Sequence, residues 1–170
     1  HAAELWLRGG LLAVRGAVLM PESTPGLVLV TNALSFNGSG SLDLGNNAII
    51  VDYSGVSPLA AIKTYLISGR GDVGFGNATW NGSGINSSTA AAGDGISTAI
   101  GYAENGDLPL GAYSTWQGQS VDSTAILIKY TRGADANLDG VINDNDVTVV
   151  GATYNNPAFH DWYTGDFDYS

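Results

Sequence analysis

In the first third of the chain, no apolar stretch is longer than a single strand. ELWLR (4–8), LLAVRGAVL (11–19) and LVLV (27–30) are short, Leu-rich or β-branched runs. Gly9-Gly10 and the segment Pro21 to Gly26 separate them. Such breakers leave no room for long helices and favour strands joined by turns. The 24 glycines and the low share of charged residues, 13%, point the same way. With 44% apolar residues and a mean hydropathy of +0.07, the chain can bury a core and is not of the disordered class.

The pattern continues beyond residue 36. Leu42 and Leu44 alternate, Asn46-Asn47 makes a turn, and AIIVDY (48–53) follows, which reads as a hairpin or one rung of a stacked β-structure. Residues 57–69 are the clearest helix of the first half. Ser57 can cap it, Pro58 suits the first helical position, and Gly69 ends it. The stretch 69–95 is Gly-rich and loop-like, and 95–107 fits a short helix or a strand equally well. Residues 125–130 are a strong strand. Residues 144–156 read as a short helix with acids at its N-terminus, where the helix dipole favours them. The expected fold class is therefore mostly β, a β-sandwich or short β-solenoid with one or two short helices and a C-terminal loop–helix.

The net charge of −10 excludes the basic stripe that nucleic acid requires. Seven of the sixteen acidic residues lie at or beyond Asp135, and no Lys or Arg follows Arg132. The chain has no cysteine, so disulfides and thiolate metal sites are excluded. No apolar run reaches the roughly 18 residues of a membrane span. The His1 start, with no visible signal peptide, suggests a processed or partial chain.

The acidic tail contains GADANLDGVINDNDVT (133–148), which matches the calcium-loop spacing D-x-[DN]-x-[DN]-G. Calcium takes six to eight hard oxygens, and alternate residues of a tight loop supply them. Asp135, Asn137 and Asp139 fill positions 1, 3 and 5, and Gly140 allows the sharp turn at 6. Val141 offers a backbone carbonyl at position 7. Asn143 stands at 9, and Asp146 closes the cage at 12 as a bidentate carboxylate. Ile142, between them, is expected to anchor the loop to the core. The expected metal ligands are thus Asp135, Asn137, Asp139, Val141, Asn143 and Asp146, and the expected cofactor is calcium.

GADANLDGVINDNDVTVVGATY (133–154) resembles the first half of a dockerin-type repeat, a calcium loop ending in Asp and followed by one helix. GDFDYS (165–170) places Asp166, Asp168 and Ser170 where a second loop would begin. Upstream, SLDLGNNAIIVDYSGVSPLAAIKTYLISG (41–69), WNGSGINSSTA (80–90), AIGYA (99–103) and STAILIKYTRGADANLDG (123–140) resemble the C-terminal region of large secreted surface proteins of planctomycete-like bacteria, in which a β-rich module precedes such a repeat. The resemblance thus covers residues 41–170. The resemblance implies a β-rich domain over 1–132, with 1–40 the end of an upstream β-region, and a calcium-binding segment over 133–170 with its second repeat truncated. It also implies secretion, a cell-surface role and no established catalysis. In dockerins, loop positions 10 and 11 help recognise a cohesin and are often Ser or Thr. Here they are Asp144 and Asn145.

Weaker signals have plainer readings beside them. Arg70-Gly71-Asp72 spells an adhesion tripeptide, which also arises by chance in Gly-rich loops. Asn37, Asn77, Asn81 and Asn86 each begin an N-x-[ST] sequon. Trp80 and Trp116 suit stacking on a sugar ring if exposed, and core packing if not. His1 with His160 is the minimum for a terminal copper brace, without that site's flanking motifs. Asp52, Asp94 and Asp122 are not paired as hydrolytic carboxylates need to be. The sequence thus indicates a non-enzymatic extracellular structural or surface protein, self-assembling into a fibre or binding another surface protein. The alternative is a carbohydrate- or cohesin-type binding module of a secreted enzyme.

Overall fold

The computed structural model describes residues 10–24, 26–71, 78–94, 97–154, 156 and 160–169. It is mostly β. Strands β1 (Leu11–Leu19), β2 (Val28–Thr31), β3 (Ala33–Asp43) and β4 (Ala48–Asp52) come first, followed by helix α1 (Leu59–Arg70). Strand β5 (Gly84–Asn86), helix α2 (Ser88–Ala91) and strand β6 (Thr98–Glu104) come next. Two short strands, β7 (Thr115–Trp116) and β8 (Gln119–Ser120), precede the long β9 (Ala125–Arg132), and helix α3 (Asp144–Thr153) follows the acidic loop. The described residues thus hold three α-helices, in keeping with one or two short helices and a C-terminal loop–helix. α2 escaped notice because it is a single turn, capped by Ser87 accepting from the Ala90 N–H.

The first six strands alternate between two sheets, and β7 pairs with β8 as a separate two-stranded sheet. β1, β3 and β5 form one sheet, and all its pairings are parallel, with Leu11 beside Ala33 and Leu42 beside Ile85. β2 and β4 pair in parallel in the other sheet. This is solenoid winding, in which each turn adds one strand to each face. The AsnAsn turn after Leu44 is therefore a corner between sheets. Asn47, 1% exposed, holds that corner: its side chain accepts from the Leu27 N–H (2.7 Å) and donates to the carbonyls of Leu44 (2.8 Å) and Pro21 (3.1 Å). The winding ends where β9 runs antiparallel to β4, and β6 antiparallel to β9, giving the order β2-β4-β9-β6.

β4 and β9 are central strands, and their composition fits. AIIVD is buried over its first four residues and AILIK over all five. Such continuous β-branched runs suit strands covered on both faces. α1 packs Ile62 and Leu66 onto the core and approaches β5 so closely that a Cβ at Gly69 would lie 1.7 Å from the Ile85 carbonyl oxygen. It begins one residue later than the sequence indicated, with Pro58 as cap, and ends at Gly71 in the left-handed conformation.

The described residues beyond Arg132 share the core of the β-sheets. Leu138, Trp162, Tyr163 and Tyr169 belong to the same buried cluster as Ile100, Tyr102 and Ile128. Gly101 on β6 explains how they approach, since a Cβ there would meet Leu138 Cδ2 at 2.5 Å and Trp162 Nε1 at 2.7 Å. No helix among the described residues is long and apolar enough to cross a membrane.

Candidate metal centre

Five of the six expected ligand residues lie in the loop between β9 and α3, and Asp146 lies in the first turn of α3. The loop's side chains organise its own backbone. Asp135 Oδ2 accepts from the Gly140 N–H (3.0 Å) and from Thr131 Oγ1. Asn137 Oδ1 accepts from the Asp139 N–H (3.0 Å), and Asp139 Oδ1 from the Val141 N–H (2.8 Å). Asp146 reaches back across the loop. One of its oxygens accepts from the N–H groups of Ala136 (2.8 Å) and Asn137 (3.3 Å), the other from that of Asn143 (2.9 Å). Asn143 caps α3 and completes a capping box with Asp146. Gly140 has φ +93, as the sharp turn requires, and Leu138 is held at φ +61 despite its side chain.

Aromatic donors hold the loop from outside. Trp162 Nε1 donates to the Asp135 carbonyl (2.7 Å), Tyr113 OH to that of Asn137 (3.0 Å) and Trp116 Nε1 to that of Leu138 (3.1 Å). No sequence pattern marks these three roles, because the donors lie in two segments remote from the loop in the chain. The anchor also differs from expectation. Ile142 is 46% exposed, whereas Leu138 and Ala136 are fully buried. Leu138 takes the core position because the left-handed turn there aims its side chain at Gly101.

One atom in the loop lacks a partner. Asp135 is 0% exposed, and its Oδ1 is buried without a hydrogen bond. An unsatisfied buried carboxylate oxygen costs several kcal/mol unless a cation or proton meets it. Burial raises the pKa of Asp135; Thr131, Lys129 and the Gly140 N–H oppose the shift, and Asp146 adds to it. Lys129, also buried, lies on β9 beneath the turn. Burial lowers its pKa against the pull of Asp135 and Asp139.

Among the described residues, no three Asp, Glu, His or Cys side chains stand together as a group that could hold a metal ion as they lie. Half of the expected ligand residues, Asn137, Val141 and Asn143, supply no carboxylate, so carboxylates alone do not define the cage. The chemistry of the donors fits a hard cation, and the orphaned Asp135 oxygen lies at the first ligand position. Carboxylate oxygens that already accept one N–H keep further lone pairs.

The other sequence candidates lie elsewhere. Asp166 belongs to no second loop among the described residues. It stands 3.6 Å from Lys63, which also meets Asp161 at 3.5 Å. Ser170 lies outside the described residues. Trp80 and Trp116 are 1% and 3% exposed, so neither presents a face to a sugar. Arg70 is buried over the Tyr169 ring, 5.8 Å from its centroid, and does not display an adhesion tripeptide; Asp72 lies outside the described residues. Asn37 and Asn81 are exposed, Asn86 is 8% exposed with its amide donated to Gly82, and Asn77 lies outside the described residues. His1 lies outside them as well, and His160 is exposed. Asp52, Asp94 and Asp122 are exposed and far apart in the chain, and Asp122 serves to cap Thr124. No family model, curated protein or solved structure matches this chain.

Proposed function

We propose that this chain is an extracellular structural protein of a cell surface, clasped by calcium and able to associate with copies of itself. The observation that carries the calcium part is the buried, partnerless oxygen of Asp135 at the first position of a loop with calcium spacing. Calcium bound there would neutralise Asp135, Asp139 and Asp146 where strand β9, helix α3 and the aromatic grips converge. The cation would complete the tertiary structure, with no role in chemistry.

Association is supported by the outer edge of β1. Among the described residues β1 pairs only with β3, and Leu11 and Leu19 on it are 64% and 66% exposed. Such an edge is a template for a further strand. The resemblance to secreted surface proteins agrees with this reading.

A ligand that binds only the folded state raises its stability by mass action, about 2.7 kcal/mol at one hundred times Kd. Calorimetric melting in calcium and in chelator tests the clasp. The expected result is a higher Tm in calcium for the native chain and no difference for Asp135→Ala. An unchanged Tm in the native chain would overturn the calcium reading.

A further inference from the structure

We propose that Lys129 is a built-in counter-cation of the acidic loop, holding its carboxylates together without metal and weakening calcium affinity when metal arrives. The inference rests on the calcium reading above.

Lys129 is 9% exposed on the central strand β9, opposite Ala48 on one side and Gly101 on the other. Buried lysines are uncommon unless their charge is compensated. Lys63, by contrast, lies between two carboxylates, Asp161 and Asp166. Lys129 has no such bridge among the described residues. Its Nζ lies under the loop turn instead, where a Cβ on Gly140 would be 3.2 Å away, and 6.0 Å from the centre of the Trp116 ring. Trp116 in turn donates to the Leu138 carbonyl. The ammonium is thus fixed between the loop and one of its grips.

Its electrostatic neighbours are the first two carboxylates of the cage, Asp135 and Asp139. No Lys or Arg follows Arg132, yet Asp135, Asp139, Asp144 and Asp146 fall within twelve residues of chain. Lys129 therefore offsets repulsion that would otherwise splay the empty loop. A divalent ion entering the same field meets that ammonium at close range in a poorly solvated site, where like charges repel strongly. Stability of the empty loop and affinity for the metal are therefore opposed through one side chain.

The test measures two quantities on the full chain carrying Lys129→Met, Lys129→Arg or Lys129→Gln. Calcium affinity is read by titration calorimetry, and metal-free stability by urea unfolding in chelator. Lys129→Met should bind calcium about tenfold more tightly and unfold at lower urea without metal. Lys129→Arg, which keeps the charge, should stay near the native values in both. If the Met variant does not fold without metal, Lys129→Gln carries the same comparison, since it also removes the charge. Calcium binding by the native chain with unchanged or weaker affinity in the neutral variants would overturn the role of Lys129 alone. A native chain with no calcium heat and no chelator response would overturn the calcium reading, and this inference with it.

Discussion

Tyr113 shows how a single side chain ties the loop to the rest of the protein. Its hydroxyl donates to the Asn137 carbonyl, and its pKa is pushed up to about 12, first by burial and then by Asp139, Asp135 and Asp146. A folded-state pKa above the unfolded value of 10.0 means that the neutral phenol is favoured in the fold. Its contribution is therefore fully present below pH 10 and is lost as pH rises through about 12. Tyr113→Phe should cost about 1 kcal/mol at neutral pH, the worth of one hydrogen bond. The same variant should lose less stability than the native chain between pH 10 and 12. Urea unfolding at several pH values reads both effects, and parallel losses for the two chains would refute this role for the phenol.

The six loop residues were legible at this scale because ligand spacing is local: alternate side chains in a tight turn obey a rule that the sequence displays directly. The grips of Tyr113, Trp116 and Trp162 were not legible. Each meets the loop across at least 20 residues of chain, and an aromatic in a Gly-rich stretch looks the same whether it faces solvent or a buried carbonyl. Ile142 misled for a related reason. Apolar character suggested an anchor, but the left-handed turn at Leu138 decides which side chain points inward.

Among the elements, the long apolar strands were legible and their partners were not, while β5 lies in a stretch that reads as loop and β6 in one that fits helix or strand equally. The continuous apolar runs of β4 and β9 announced buried strands, and the Asn46-Asn47 turn announced a change of direction. Whether that turn closed a hairpin or a solenoid corner depended on pairing with strands far along the chain, Leu42 with Ile85 being one case. Asn47 decides the corner, and its removal is informative. Asn47→Ala would strand the Leu27 N–H and remove the side-chain hydrogen bonds to the Pro21 and Leu44 carbonyls, of which Leu44 keeps the Asn47 N–H, in a site that is 1% exposed. Each unsatisfied group costs about 1–3 kcal/mol. The expected loss is therefore roughly 3 kcal/mol in chemical unfolding, and a loss below about 1 kcal/mol would show that the corner is held by other contacts. Gly101→Ala tests the contact between β6 and the loop. Its methyl must displace Leu138 and the Trp162 indole, so a loss of about 1–3 kcal/mol is expected, together with weaker calcium binding.

For the whole molecule, the question is whether association stops or grows. The β1 edge, if it pairs with itself across a two-fold axis, closes at a dimer. A fibre requires a second adhesive face with a different axis. Helix α3 offers one: Val147 and Tyr154 are 68% and 82% exposed, and with Ile142, Val150 and Phe167 they line an apolar groove. Two isologous contacts with separate axes generate an open chain, while either alone generates a pair. Lysines at an edge strand block pairing, and charge on an apolar helix face blocks packing. The variant L11K/L19K should therefore stop at a dimer held through α3, and V147E/Y154E at a dimer held through β1. Because these side chains are exposed, each variant should keep the native stability within about 0.5 kcal/mol per site. Light scattering over a concentration series, with calcium and with chelator, separates the outcomes. Growth in the native chain, dimers in each variant and monomers in the combined variant would establish the two-face fibre. A native chain that remains monomeric at high concentration in both conditions would rule out self-assembly and leave the calcium clasp as a device for stability alone.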